Sequence, residues 1–373
     1  MLIAAGLKTG HLNYEEMMGD MFGVWGIYAY CTFAGVLSFG AMSAYLIIVG
    51  DTIPMIVNAS GSAPPAFGER SLVILLFGVF CALPLALLKD LSKLSYTSFA
   101  SVTADLLLTF IVIFAGVHEA RENPELDEIP KFTFIRSKVF AGFGAISFAF
   151  VCQSSSFLVY RSLARRGLNR WAVVTRWSAT IALVMGLTLA LGGYLNFGQD
   201  TQGNILNNFS PNDVAASVAR GFLAITMIFT YPMEMYVTRH VLDFAIFRTL
   251  LGMGPPTALR HYSITMVLWV LSIILATSTD DLGDILEIFG ALGASAVGYI
   301  IPALLHIKSN SGEMRRALAA WKKGSAEYAP SLCKRLWAMR NFYLPLFMVA
   351  FGVVAMVAGV ATAVFSELTQ TKA

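Results

Sequence analysis

Residues 142–160 read GFGAISFAFVCQSSSFLVY. The stretch is apolar and long enough to cross a bilayer, for which about 20 residues of helix suffice. Yet Gly142 and Gly144 open it, and Cys152, Gln153, Ser154, Ser155 and Ser156 fill its second half. Hydrocarbon offers no partner to a free amide or carbonyl. Small and polar residues at this depth therefore point to backbone or side chains facing a wet cavity inside the protein. The reading is a membrane helix interrupted near its middle.

The rest of the chain shares that solvent. Of 373 residues, 57% are hydrophobic and 13% charged, with a mean hydropathy of +0.67. A soluble domain carries about 25% charged residues, so this chain would lack the polar surface to stay dissolved. The apolar runs do not alternate as membrane barrel strands do, which predicts an all-α integral membrane protein with the lipid bilayer as its partner. A net charge of +3, without basic runs interleaved with aromatics, excludes nucleic acid. Cys31, Cys81, Cys152 and Cys333 show no pairing pattern and read as reduced thiols. His11, His118, His240, His261 and His306 are scattered, and no H-E-x-x-H, G-x-S-x-G or phosphate loop occurs. Neither an enzyme nor a cofactor is expected, nor any metal beyond a sodium ion.

Hydropathy predicts nine spans, at 24–49, 71–88, 96–117, 139–160, 177–197, 214–236, 262–278, 285–307 and 342–365. Threading them alternately places 19 of the 26 lysines and arginines on one side. These are Lys8, Lys89, Lys93, five arginines from Arg161 to Arg176, Arg239, Arg248, Arg260 and eight residues from Lys308 to Arg340. By the positive-inside rule this side and the N-terminus are cytosolic, and the C-terminus is extracellular or luminal. The sequons at Asn58 and Asn208 both fall on the opposite face, where glycosylation occurs. The long basic loop 309–341 reads either as an amphipathic helix on the anionic leaflet or as a solvated linker. The acidic run 119–128 reads as a solvated connection.

Three ordered motifs carry a resemblance. The run Ile146-Ser147-Phe148-Ala149-Phe150-Val151-Cys152-Gln153, followed by Ser156-Phe157-Leu158-Val159-Tyr160, resembles the sixth helix of the amino acid/auxin permease family. The second motif joins Gly193-Tyr194-Leu195 to Thr201-Gln202-Gly203-Asn204-Ile205-Leu206-Asn207-Asn208. The third is Phe229-Thr230-Tyr231-Pro232-Met233-Glu234, ending in Val237-Thr238-Arg239. Together they are most similar to the sodium-coupled neutral amino acid transporter branch. That family has eleven helices in an inverted repeat of five plus five, with one extra. The resemblance implies a single transmembrane domain over 1–366. Residues 24–120 would be a remnant of the first repeat (helices 3 to 5), 136–308 the second repeat (helices 6 to 10), and 342–365 the last helix. The first helix and most of the second have no counterpart, which suggests an incomplete gene product or a nine-helix derivative.

An interrupted mid-membrane helix is where secondary transporters bind substrate and coupling ions. The expected function is therefore secondary active transport of small neutral amino acids by alternating access, driven by sodium or protons, in the plasma membrane or a vacuole or lysosome. The alternative is a non-transporting sensor or scaffold, or an inactive fragment, on the same helices. Ser147, Phe148, Ala149, Phe150 and Gln153 are the substrate-binding candidates, with a packing role for the phenylalanines as the alternative. The resemblance points to Thr230 as a sodium ligand, with Thr226 one turn earlier and Pro232 freeing a carbonyl nearby. The competing reading is a threonine bonded to its own helix. Asp105, mid-span among apolar neighbours, is a candidate proton site. Glu234 is expected to pair with Arg239 or with a neighbouring helix.

Overall fold

The computed structural model describes residues 1–60, 68–88, 95–122, 139–279, 281–312 and 339–370, and these are helical with connecting turns. The helices are α1 (Leu2–Thr9), α2 (Tyr14–Ser60), α3 (Arg70–Ala86), α4 (Ser95–Glu122), α5 (Val139–Phe150), α6 (Ser156–Ser162), α7 (Leu168–Phe197), α8 (Val214–Leu242), α9 (Ala258–Ser278), α10 (Leu282–Ser309) and α11 (Leu344–Gln370). Residues 314–323 of the expected amphipathic helix, and Cys333, lie outside the described residues. So does the acidic run beyond Glu122, up to which α4 continues.

Among the described residues seven helices are long and apolar enough to cross a membrane: α2, α4, α7, α8, α9, α10 and α11. Helix length alone therefore does not confirm the count of nine. The second expected span, α3, falls below the length of the others, and the fourth is divided between α5 and α6. The 24–49 span is part of a longer rod kinked at Gly23, whose φ of 68° is open to glycine and costly for a side chain. The 177–197 span begins nine residues earlier, at Leu168, so Arg170 and Arg176 ride on α7 itself. No local breaker stands between them and the apolar run.

Three apolar clusters hold the helices together. One joins α1, the start of α2, α6 and the later part of α10, around Ile3, Met17, Phe157 and Leu305. A second joins α2, α3, α8, α9 and the start of α10, around Met42, Ile74, Tyr231 and Ile285. The third ties α4 to the end of α7 and the start of α8 through Val112, Phe197 and Ala219. Outside these, α7 shows Trp177, Val184 and Leu191 to the surroundings, and α9 and α11 do likewise with Val267 and Phe347. Apolar residues displayed this densely outward suit contact with lipid. The protein is multi-pass.

Helix ends expected on one side touch one another. Lys8 Nζ donates to Asn310 Oδ1 at 2.8 Å, His306 Nε2 meets Asn341 Oδ1 at 3.2 Å, and Arg239 Nη1 donates to the Ala86 carbonyl at 2.9 Å. At the other end Arg70 Nε pairs with Asp51 at 2.9 Å, and Arg70 Nη2 donates to the Thr279 carbonyl at 2.8 Å.

Candidate functional site

The fourth crossing is broken where its composition predicted. α5 stops at Phe150, Val151 and Cys152 are non-helical, a single 3-10 turn spans Gln153–Ser155, and α6 resumes at Ser156. Polar side chains satisfy part of the exposed backbone. The Cys152 amide donates to Gln153 Oε1 at 2.8 Å, and Ser156 Oγ donates to the Cys152 carbonyl at 3.3 Å. The last carbonyls of α5 have no helical amide four residues on. That leaves backbone polarity inside a membrane-spanning element.

Close packing on α10 positions the break. A Cβ at Gly144 would run into the Glu287 carbonyl oxygen, and one at Gly290 into the Gly144 carbonyl oxygen, so the two backbones cross almost in contact. Further along, Gly298 stands 3.7 Å from Val151 and 3.8 Å from Gln153 Oε1, measured from the position a Cβ would take. Opposite the break α10 widens into two successive π-turns, Gly290–Ala294 and Ala296–Ile300, flanking Ser295. The Ser295 hydroxyl is fully buried and has no hydrogen-bond partner. π-bulges of this kind gather at functional sites. Neither the π-turns nor Ser295 was read from the sequence. The small-residue run of Gly290, Gly293, Ala294 and Gly298 was the available signal.

Of the substrate candidates, Ser147 is buried, and Phe148 packs against the cluster that includes Ala294 and Val297 of α10. Gln153 is half-buried at the break. Ala149 and Phe150 turn outward, and the Phe150 ring lies towards Gly186 of α7.

The cation candidates sit on α8, in a stripe at four-residue spacing formed by Thr226, Thr230, Glu234 and Thr238. The Thr230 hydroxyl donates to the Thr226 carbonyl, so its proton is used while its lone pairs stay available. Thr226 Oγ1 is buried without a partner. Pro232 cannot donate to the Ile228 carbonyl, which adds an oxygen on the same stretch. Tyr231 anchors the helix through a 2.9 Å hydrogen bond to Ser272 of α9.

Further along the stripe, the Glu234 carboxylate is hydrogen-bonded to Ser38 of α2. Arg239 instead reaches Ala86 and Thr265, so of the two expected partners Glu234 takes the neighbouring helix. Tyr45 of α2 lies within electrostatic range of both Glu234 and Asp105 of α4. Three titratable groups from three helices thus share one neighbourhood; sequence reading had singled out Asp105 and Glu234 separately, but neither Tyr45 nor their proximity. The regular stripe on α8 was the missed signal.

The structure does not join the two candidate sets directly. α5 packs on α10 and α11, whereas α8 packs on α2 and α4. α2 bridges them, with Leu37 against Gly293 and Gly40 against Phe289. Among the described residues no hydrogen bond links Ser147 or Gln153 to Thr226 or Thr230. Of the sequons, Asn58 is exposed at the end of α2, whereas Asn208 uses both ends of its amide within its loop. Its Nδ2 donates to the Asp200 carbonyl at 2.7 Å and its Oδ1 accepts from the Gln202 amide at 2.9 Å.

Known proteins are similar to this chain in sequence. The profile of the family described as transmembrane amino acid transporter protein matches residues 2–329. The chain is 29% identical over 310 residues to "Putative sodium-coupled neutral amino acid transporter 11" of Rattus norvegicus, covering 83% of this chain and 67% of the relative. The protein of the same name from Danio rerio is 30% identical, with 83% and 68% covered. "Vacuolar amino acid transporter 2" of Saccharomyces cerevisiae is 27% identical, with 81% and 64% covered. The chain spans about two thirds of the length of these relatives.

Proposed function

Because the chain belongs to the transmembrane amino acid transporter family, we propose that it moves small neutral amino acids across a membrane by alternating access, coupled to a cation gradient. The observation that carries this reading is the break at Val151–Cys152, pressed against the π-turns of α10. An amino acid zwitterion is expensive to strip of water unless dipoles and hydroxyls replace its hydration. Ser147, Gln153 and the open carbonyls of α5 supply such groups, and Phe148 shapes the apolar side of the pocket. Ala149 and Phe150 contribute by closing the outer flank towards α7. A broken helix also divides one crossing into two segments that reorient with different neighbours, as alternating access requires.

The test is uptake of labelled glutamine or alanine by proteoliposomes carrying the full chain, with either a sodium or a proton gradient imposed. Uptake above that of empty vesicles under one gradient is expected. Counts no higher than those of empty vesicles under either gradient would remove the transport reading and leave a sensor or scaffold on the same helices.

We infer that sodium is the coupling ion, and the stripe on α8 supports this reading. Sodium prefers oxygen donors, and Thr226, Thr230 and the Ile228 carbonyl gather three within about two turns. Thr230→Ala is expected to raise the sodium concentration for half-maximal uptake about tenfold, which corresponds to roughly 1.4 kcal/mol. Asp105→Asn is expected to leave it unchanged. The opposite pair of results would move coupling to the Asp105, Tyr45 and Glu234 neighbourhood and to protons. Either the plasma membrane or a vacuole or lysosome is consistent with this chemistry, with Asn58 as the sequon open to glycosylation.

A further inference from the structure

Beyond the last turn of α8 the helix widens into a π-turn, Asp243–Leu250, and the chain returns through residues 251–257 to α9. Between these elements lies a cavity of about 380 Å³, within the ~300–1,000 Å³ range of small-molecule sites. Its wall includes Arg239, His240, Asp243, Arg248, Thr257 and His261. The substrate and cation candidates take no part in it.

The charges in the wall do not cancel. Asp243 serves two guanidiniums at once, with Arg248 Nε at 3.1 Å and Arg260 Nε at 2.7 Å. Arg239 is 6% exposed, and its guanidinium donates to neutral acceptors, the Ala86 carbonyl and the Thr265 hydroxyl. His240 faces Glu15 of α2 at 3.4 Å, and His261 Nε2 lies 3.3 Å from the Leu87 carbonyl. Three arginines thus stand against Asp243 and Glu15, with two imidazoles able to add charge. A buried guanidinium held only by neutral groups is stabilised by an incoming anion. Arginine forks match phosphate oxygens in pairs. The cavity opens where the basic residues of the chain gather, and Leu250, Leu251 and Leu259 stand exposed beside it, as acyl chains would require.

We propose that this cavity binds a phosphomonoester, presented by an anionic lipid headgroup and held by Arg248, Arg239 and His261. The experiment follows the thermal unfolding of the purified full chain by tryptophan fluorescence. It is titrated with dioctanoyl phosphatidylinositol 4-phosphate, dioctanoyl phosphatidylcholine and inorganic phosphate in separate arms. A saturable rise in the midpoint with the phosphoinositide, and none with phosphatidylcholine, is expected. R248Q removes one fork while Arg260 still neutralises Asp243, and Ala258→Leu fills the cavity without touching a charge. Each is expected to weaken the apparent affinity about tenfold or more, R248Q through the loss of a charge-assisted contact and Ala258→Leu through occlusion of the cavity. A rise with inorganic phosphate equal to that with the lipid, and equally sensitive to both variants, would keep the phosphate site and assign it to a soluble anion. No rise with either phosphate compound, or rises unchanged in both variants, would overturn the proposal.

Discussion

Replacing Gly290 with alanine is expected to abolish uptake and to destabilise the purified chain by about 2 kcal/mol or more, the upper range for overpacking a close contact. The added methyl would meet the carbonyl oxygen and carbon of Gly144, which are backbone, so no rotamer change can relieve the clash. α5 and α10 must then separate, and their separation withdraws the π-turns and Ser295 from the break. Gly144→Ala is expected to do the same from the other helix, against the Glu287 carbonyl. Gly142, two residues earlier on α5, is the internal control, because a Cβ there meets nothing within 4 Å. Gly142→Ala should be neutral or stabilising by up to about 1 kcal/mol through helix propensity. Thermal unfolding and uptake of the three variants in parallel decide the matter. If G290A and G142A behave alike, the helix crossing does not hold the site together.

The same crossing shows how far the sequence could be read. Solvent preference was legible because it is summed over hundreds of residues, and the break was legible because polar residues within an apolar run contradict their surroundings at one place. Segment ends were less so. Hydropathy sees only transfer energy, so it started the fifth span at residue 177 although α7 carries Arg170 and Arg176 in helical conformation from Leu168. It also counted α3 as an ordinary span, since seventeen apolar residues look much like twenty. The pairing of helices was not legible at all. Gly290 approaches Gly144 across 146 residues of sequence, and nothing local at either position names the other. The partner of Glu234 stayed open between Arg239 and a neighbouring helix for a related reason. Its nearest cation in sequence is Arg239, but helical geometry places residues four apart on one face, and Arg239 is five away and turned towards Thr265.

On the proposed function, the break and the α8 stripe take two separate tasks within one bundle. Backbone polarity sits at α5 and hydroxyls at α8, and α2 packs on α8 and on α10, the helix that α5 crosses. A substrate at the first and an ion at the second would communicate through α2, by shifting Leu37 against Gly293 and Ser38 against Glu234. Coupling of that kind needs a rigid intermediary, and fully buried residues of α2, among them Met42, Leu46 and Val49, lock it to its neighbours.

Arg220→Met is expected to unfold the segment between α7 and α8 and to lower the stability of the whole chain by about 3 kcal/mol or more. Arg220 is fully buried, and its guanidinium donates to the carbonyls of Leu206 at 2.8 Å, Phe209 at 2.9 Å and Ser210 at 3.5 Å. Those carbonyls close the loop that follows Gly193-Tyr194-Leu195, so one side chain of α8 organises a connection more than ten residues long. Removing it strands buried acceptors, each costing about 1–3 kcal/mol. Within the loop Asn204 and Asn208 bind their neighbours' backbone, but neither reaches α8, so they cannot replace the clamp. Lysine keeps the charge yet cannot spread three donors in a plane, so Arg220→Lys should fall between the parent and Arg220→Met. Limited proteolysis of the 198–213 segment, read beside thermal unfolding, separates local from global loss. A clamp predicts faster cleavage there in both variants, in the order Met over Lys. Cleavage at the parental rate in Arg220→Met would show that the apolar contacts of Phe197, Leu206 and Phe209 hold the loop without it.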